Sequence, residues 1–132
     1  MGKEFVPYEQ SLALKNLGFN EECLSHYVKG NEYKDWTLYQ EGGTFFASDY
    51  PEHIVAPLYQ QAFRWFREKH DLVVCQERDG GWWLFTVKDV STEDDEGALE
   101  IKELNVSRDT YEDAELACLQ NLIEIVKEKQ DG

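Results

Sequence analysis

The chain of 132 residues carries 27 acidic and 13 basic side chains, a formal net charge of −14 at pH 7. This balance argues against direct binding to the backbone of DNA or RNA and to anionic membranes, because both recruit cationic side chains. Hydrophobic residues nevertheless make up 42% and aromatic residues 14%. Acidic disordered tails lack such residues, so a single folded domain over residues 1–132 is expected.

Two features of the sequence bear on the cellular compartment. Residues 1–7 lack the apolar core of a signal peptide, and no apolar run reaches the roughly 18 residues of a membrane span. The cysteines Cys23, Cys75 and Cys118 are odd in number and widely spaced, which is typical of reduced thiols. The sequence therefore predicts a cytoplasmic protein.

The first half of the chain predicts one helix followed by three strands. Pro7 suits the first turn of a helix and Gly18 suits its C-terminal cap, which together predict a helix over residues 7–17. Alternating side chains predict a strand over residues 23–28. A hairpin is expected next, with strands 36–40 and 44–47 around a turn at 41–43, and then a connection over 48–55.

The second helix is the clearest element of the sequence. It is predicted over residues 57–69, and Pro57 fits its first turn. Apolar residues repeat at the helical spacing, and polar residues take the opposite side, so one face should be buried. That face holds Leu58, Tyr59, Ala62, Phe63 and Phe66, with Trp65 on its edge.

A second hairpin is predicted directly after this helix. Its strands are residues 72–77 and 82–87, and its turn is at 79–81, since Asp-Gly tolerates the positive φ of hairpin turns. Aromatic and β-branched residues on both strands place the hairpin mid-sheet or covered on both sides. The adjacent Trp82 and Trp83 must point to opposite faces. If one of these faces is uncovered, its tryptophan marks a candidate contact surface.

The last third completes the predicted fold. Residues 91–97 are expected to form a solvated loop, because four consecutive acids cannot pack. A polar edge strand is expected over 99–106, and a helix from Thr110 to about residue 129 follows a capping sequence. The resulting order, α-β-β-β-α-β-β-β-α, predicts an α+β fold in which an antiparallel sheet of about five to six strands, built from hairpins, packs with three helices.

Catalytic and ligand-binding patterns are scarce, so the sequence predicts no catalytic residue, cofactor or metal ligand. A Cys–His nucleophile pair requires tertiary placement that no local spacing indicates. Metal sites with local signatures place histidines at helical spacing. The three histidines instead lie far apart, at His26, His53 and His70.

Glu112 and Glu115 fall inside the apolar arc of the last helix. The simpler interpretation is structural, because acids in a first turn complement the helix dipole, and Arg64 or Arg108 could neutralise one of them. The alternative is a functional carboxylate pair in a small enzyme. Both interpretations remain open on the sequence alone.

Acidic residues are concentrated near the C-terminus, where residues 91–132 hold 13 acids and 4 bases. Carboxylates spaced on a rigid surface can imitate a phosphate backbone and occupy a basic groove. The alternative is that these charges only keep the chain soluble. The predicted partner-binding residues are Glu93, Asp94, Asp95, Glu96, Glu100, Glu103, Asp113, Glu124 and Glu128.

Three blocks of the sequence together resemble a group of small uncharacterised proteins of Bacteroidetes phages and prophages. The blocks are FVPYEQSLALKNLGF at 5–19, APLYQQAFRWFREK at 56–69 and YEDAELACLQNLIEIV at 111–126. The resemblance implies an accessory protein that acts in the cytoplasm of a bacterial host cell. Small acidic phage proteins in that setting are often inhibitors of host defence, including anti-CRISPR proteins. The inference that this chain is such an inhibitor is an analogy from the genomic setting.

Charge and resemblance lead to one expected function and two alternatives. The expected function is a non-enzymatic protein that binds and inhibits a basic, nucleic-acid-handling host defence protein, with an RNA-guided nuclease as the target. The first alternative is a phage structural or assembly module, which could form a homodimer through exposed aromatic residues. A small enzyme that uses Glu112 and Glu115 is the second.

Overall fold

The computed structural model describes residues 4–29, 36–39, 54–90 and 102–131. Within these ranges lie three helices and six strands, so the α+β class is confirmed. Their order is α-β-β-β-α-β-β-β-α, but the third strand is not the predicted strand 44–47, which lies outside the described residues. The chain divides into two compact units, Met1–Tyr59 and Gln60–Gly132. The single domain expected over residues 1–132 stays a prediction.

Helix α1 covers Tyr8–Asn16, within one residue of the prediction at each end. Pro7 is the N-cap residue and has an extended backbone. Gly18 takes a φ of 103°, and the amide of Phe19 donates to the carbonyl of Leu14 at 2.9 Å. These are features of a Schellman C-cap, and both Phe19 and Leu14 are buried. The predicted glycine cap is therefore confirmed.

Three short strands form the first antiparallel sheet, in the order β2-β1-β3. Strand β1 covers Ser25–Lys29, β2 covers Trp36–Tyr39 and β3 covers Ile54–Ala56. Strands β1 and β2 fall at the predicted positions, whereas the predicted turn 41–43 and strand 44–47 lie outside the described residues.

Strand β3 corrects the connection expected over residues 48–55. Ile54 pairs with Tyr27 of β1, and Val55 pairs with His26. All three residues of β3 are buried, so they show no alternation of apolar and polar side chains that a sequence pattern could detect. The pairing partner also lies more than twenty positions away along the chain, where local propensity carries no information about it.

The second helix begins later than predicted. Helix α2 covers Tyr59–His70, and Pro57 is not in its first turn. The Pro57 carbonyl accepts a hydrogen bond from the Val6 amide at 2.9 Å, and Leu58 forms an isolated β-bridge with Phe5. The N-terminal segment thus holds these two residues outside the helix.

The predicted division of α2 into two faces is confirmed. Arg64 and Arg67 are exposed, and Asp71 directly after the helix takes a φ of 55°, a left-handed conformation that Asp tolerates. The helix therefore ends abruptly and the next strand begins at once. The buried residues of α2 are Tyr59, Ala62, Phe63, Trp65 and Phe66.

The second sheet is a meander of three antiparallel strands in the order β4-β5-β6. Strand β4 covers Leu72–Asp79, β5 covers Trp82–Asp89 and β6 covers Lys102–Arg108. The predicted hairpin turn is confirmed, because Asp79 pairs with Trp82 across Gly80 and Gly81. Strand β6 is an edge strand, as predicted, and residues 99–101 lie outside the described ranges.

One part of the predicted fold is wrong: the described strands form two sheets of three, not one sheet of five to six. Only β1 and β5 are paired on both sides. The remaining strands of the first sheet have only three or four residues, while β4 and β6 expose charged side chains. Short or charged strands do not readily accept a further strand, which is consistent with two small sheets.

Helix α3 covers Tyr111–Asp131, close to the predicted range of 110 to about 129. Thr110 caps it, since its hydroxyl accepts a hydrogen bond from the Asp113 amide at 3.2 Å. Near the other end, Lys129 forms an ion pair with Asp89 of β5 at 2.8 Å. The buried residues of α3 are Ala114, Glu115, Cys118, Leu119, Leu122, Ile123 and Val126.

The β4–β5 turn generates a test of backbone conformation. Gly80 has a φ of 61° and Gly81 has no positive φ, which is the sign pattern of a type II′ turn. A Cβ atom at either position would meet no heavy atom within 4 Å, so only the φ angle distinguishes them. We expect Gly80→Ala to lower the free energy of unfolding by about 1 kcal/mol, and Gly81→Ala to change it by less than about 0.5 kcal/mol. Urea unfolding of both variants measures this, and equal losses would contradict it.

Candidate interaction surface

Strand β5 presents its two faces to different surroundings. Trp83, Phe85 and Val87 point to one face, where the ring of Tyr111 on α3 lies 5.2 Å from Trp83 and 5.5 Å from Phe85. Phe63 of α2 also approaches Phe85, with ring centroids 6.4 Å apart. The helices therefore cover this face of the second sheet.

The opposite face of the second sheet, here called the open face, carries Trp82. Its side chain is 55% exposed, and Leu84 beside it is half-buried. The prediction that Trp82 and Trp83 point to opposite faces is confirmed. Of the two strands of the hairpin expected mid-sheet or covered on both sides, only β5 lies mid-sheet, while β4 is an edge strand. Among the described residues, exposed Trp82 shows that this part of the face is not covered. By strand register, the open face holds Val73, Cys75, Glu77, Asp79, Trp82, Leu84, Thr86, Lys88, Glu103, Asn105 and Ser107.

The open face contains a shallow depression of about 370 Å³. Leu84, Thr86 and Lys88 of the central strand form its floor, and residues of β4 and β6 form its sides. The Thr86 hydroxyl donates to Asn105 Oδ1 at 2.9 Å, which ties β5 to β6 on this face. Such a concavity beside a large exposed aromatic ring is suited to receive a protruding side chain.

Carboxylates surround the apolar centre of the open face. Asp79 lies opposite Trp82 and Glu77 lies opposite Leu84 in the register of β4 and β5. Glu103 lies opposite Lys88, and their charged atoms are 4.0 Å apart, at the outer limit of an ion pair. Because Lys88 is the single base among the open-face residues, the face is acidic.

The structure describes four of the nine predicted partner-binding acids, and these four lie on two different elements. Glu103 belongs to the open face, whereas Asp113, Glu124 and Glu128 are exposed on α3, which packs against the other face of the sheet. The positions of these three acids along α3 place them on a single exposed stripe. The remaining predicted acids lie outside the described residues: Glu93, Asp94, Asp95, Glu96 and Glu100.

Glu115 and Glu112 have different environments. Glu115 is only 7% exposed, and Glu112 is exposed. Burial raises the pKa of the Glu115 carboxyl, a hydrogen bond from Tyr111 opposes this, and the nearby charge of Glu112 raises it further. The partner of Glu115 is thus a phenol, rather than the Arg64 or Arg108 that the sequence suggested.

Tyr111 connects Glu115 to two glutamines. Its hydroxyl donates to the Glu115 carboxylate and accepts hydrogen bonds from the side-chain amides of Gln60 and Gln76. Burial and Glu115 raise the pKa of the Tyr111 hydroxyl, and the two amides partly oppose this. Sequence reasoning missed this network, because its members come from α2, β4 and α3 and no local spacing links them.

The other groups considered for chemistry are dispersed. Burial, assisted by Glu115, raises the pKa of the Cys118 thiol to about 12, so it stays protonated. The His70 ring packs edge-on against Trp65, with ring centroids 4.9 Å apart. Burial and, to a lesser extent, the charge of Lys129 lower the pKa of His70, and the charge of Asp71 opposes this. In the part of the chain that the structure describes, no three His, Cys, Asp or Glu side chains are grouped to hold a metal ion.

Comparisons with known proteins leave the family open. No protein-family model, curated protein or solved structure matches this chain. The resemblance to Bacteroidetes phage proteins accordingly stays a prediction. Among the described helices, none combines the length and apolarity needed to cross a membrane.

The buried carboxyl of Glu115 generates a prediction about pH. Because its folded pKa is raised above the unfolded value, the stability contributed by its protonated form is fully present below the unfolded pKa. That stability is lost as pH rises through the folded pKa. We therefore expect Glu115→Gln to gain stability relative to the parent chain as pH rises from about 4 to about 8. Urea unfolding across this range measures the difference.

The matched control for this experiment is Glu128→Gln on the exposed stripe of α3. It removes the same charge without removing a buried carboxyl, so its stability difference from the parent should change little with pH. A Glu115→Gln difference that is equally flat would show that burial does not perturb this group.

Proposed function

We propose that this chain is a small acidic accessory protein of a phage or prophage that binds and inhibits a basic, nucleic-acid-handling defence protein in the cytoplasm of a bacterial host. The proposed target is an RNA-guided nuclease, as for anti-CRISPR proteins, without direct contact to nucleic acid or membrane and without catalysis. The observation that carries the proposal is the open face, where exposed Trp82 stands among carboxylates in a chain of net charge −14.

Trp82 supplies the proposed anchor. A large, rigid aromatic ring gives much contact area for little loss of side-chain entropy, and tryptophan is enriched among residues that dominate binding energies. The ring is held by the central strand of a sheet that the helices support from the other face, so its position is preorganised. The depression beside it can receive a side chain from the partner.

The carboxylates define the chemistry of the partner. Glu77, Asp79 and Glu103 border the apolar centre, and arginine or lysine side chains would meet them with charge-assisted hydrogen bonds. The net charge of −14 also attracts a basic surface over distance and speeds its association. Proteins that hold nucleic acid present such basic grooves, and spaced carboxylates can occupy a groove in place of phosphates.

A homodimer or phage assembly module is the second candidate, and exposed Trp82 favours it because a second copy could cover the ring. The charges oppose this arrangement. Two open faces placed together would bring Glu77, Asp79 and Glu103 of both copies into one interface, where like charges repel. The basic partner is therefore the better occupant of the face.

Binding and inhibition can be tested with a guide-loaded RNA-guided nuclease from a Bacteroidetes host. The chain should inhibit DNA cleavage and bind the nuclease directly, more weakly at about 300 mM than at about 50 mM salt, since screening weakens rim charges. Trp82→Ala should reduce affinity about 30-fold, the loss typical of a truncated central anchor. Leu104→Ala is the matched control, because Leu104 is also exposed but lies off the open face.

Charge reversal locates the contact. Glu77→Lys, Asp79→Lys and Glu103→Lys together should abolish binding, whereas the same three-charge reversal at Asp113, Glu124 and Glu128 on α3 should weaken it only through net charge. Circular dichroism checks that both variants fold. If the reversal on α3 abolished binding and the reversal on the open face only weakened it, the contact would lie on α3. A chain that forms a salt-insensitive dimer in light scattering and leaves nuclease activity unchanged would favour the assembly module.

A further inference from the structure

A second concavity, of about 80 Å³, lies between α2 and β4 and is lined by basic and amide side chains. Gln60, Phe63, Arg64 and Arg67 line it from α2, and Gln76 is among the β4 residues opposite. The four α2 residues recur at intervals of three and four positions, so they share one face of the helix. We refer to this concavity as the arginine cleft.

The arginine cleft concentrates positive charge in a chain that is otherwise acidic. The sequence holds four arginines, and two of them, Arg64 and Arg67, stand here within one helical turn with exposed side chains. A guanidinium group presents its donors as a planar fork that matches two oxygens of an oxyanion. Two forks on one cleft therefore offer a paired set of charged donors.

Both glutamines of the cleft interact with Tyr111. Their side-chain amides act as donors toward the Tyr111 hydroxyl and oppose the rise of its pKa, whereas Glu115 raises it. A carboxamide nitrogen has two N–H donors, so each glutamine retains a second donor after this bond. The buried ring of Phe63 gives the cleft an apolar wall.

The cleft is a small, partly open concavity of about 80 Å³, which suits one charged group of a ligand. A tetrahedral oxyanion has four oxygens that can accept hydrogen bonds from two guanidinium groups and two amides. A carboxylate has only two oxygens and would leave some of these donors without an acceptor. The net charge of the chain disfavours a nucleic acid polymer as the source of that group.

We propose that the arginine cleft binds the phosphate group of a small molecule, with Arg64 and Arg67 as the charged contacts and Gln60 and Gln76 as the neutral donors. This site is independent of the proposed binding of a basic protein, because the two ligands have opposite charge. Inorganic phosphate and a phosphate monoester share the recognised chemistry, and separate titrations distinguish them.

Side-chain NMR of the four arginines tests this site on the full chain. Inorganic phosphate, phosphoserine and acetate are titrated separately at constant ionic strength, while the Nε–H resonances are followed. Phosphate or phosphoserine should shift the Arg64 and Arg67 resonances to saturation and leave those of Arg78 and Arg108 in place. Tighter binding of phosphoserine would identify a monoester as the ligand, and tighter binding of phosphate would identify the free ion.

Two results of the titration would overturn the proposal. Equal shifts at all four arginines would mean general screening of charge. Saturation by acetate at the same concentration as phosphate would mean that the cleft does not select a tetrahedral oxyanion.

Charge-conserving variants test the guanidinium forks themselves. Arg64→Lys and Arg67→Lys keep the charge and remove the fork, so each should weaken phosphate binding about tenfold or more. Arg78→Lys, outside the cleft, is the control and should bind as the parent does. The backbone amide spectrum of each variant verifies that it folds, and unchanged affinity in both cleft variants would refute the site.

Discussion

Both surfaces of the second unit depend on the position of one side chain, Tyr111. Its ring packs edge-on against Trp83 and Phe85, while its hydroxyl joins Glu115 to Gln60 and Gln76. These contacts connect α2, β4, β5 and α3 through a single residue in the first turn of α3. The covered side of the sheet and two glutamines of the arginine cleft therefore share one contact residue.

The charges of the unit are segregated by this arrangement. Carboxylates occupy the open face and the exposed stripe of α3, whereas Arg64 and Arg67 stand together on α2. Asp89 and Glu115 are the exceptions, two acids inside the covered layer. Asp89 pairs with Lys129, and the phenol partner of Glu115 compensates part of the burial that raises its pKa. A strongly acidic chain can therefore present regions of opposite sign, because each is carried by a different secondary-structure element.

Sequence patterns predicted the elements of this fold better than their assembly. The helical spacing of α2 and α3, the Gly18 cap and the Gly80–Gly81 turn are local features, so the sequence alone was enough to place them. Strand β3 was missed because three buried residues show no alternation, and its partner β1 is distant in the chain. The opposite directions of Trp82 and Trp83 followed from strand geometry. Which of the two is exposed, and that Glu115 meets a phenol, depends on tertiary packing that no spacing reveals.

Because side chains alternate between the two faces of β5, the two sets of side chains are under independent constraints. Substitutions at Trp83, Phe85 or Val87 must fit the helices behind them, whereas those at Trp82, Leu84 or Thr86 are constrained mainly by what lies in front of the sheet. The scaffold can therefore be inherited unchanged while the exposed side diversifies. If the partner evolves rapidly, related chains should differ at every second position of this strand and agree at the positions between.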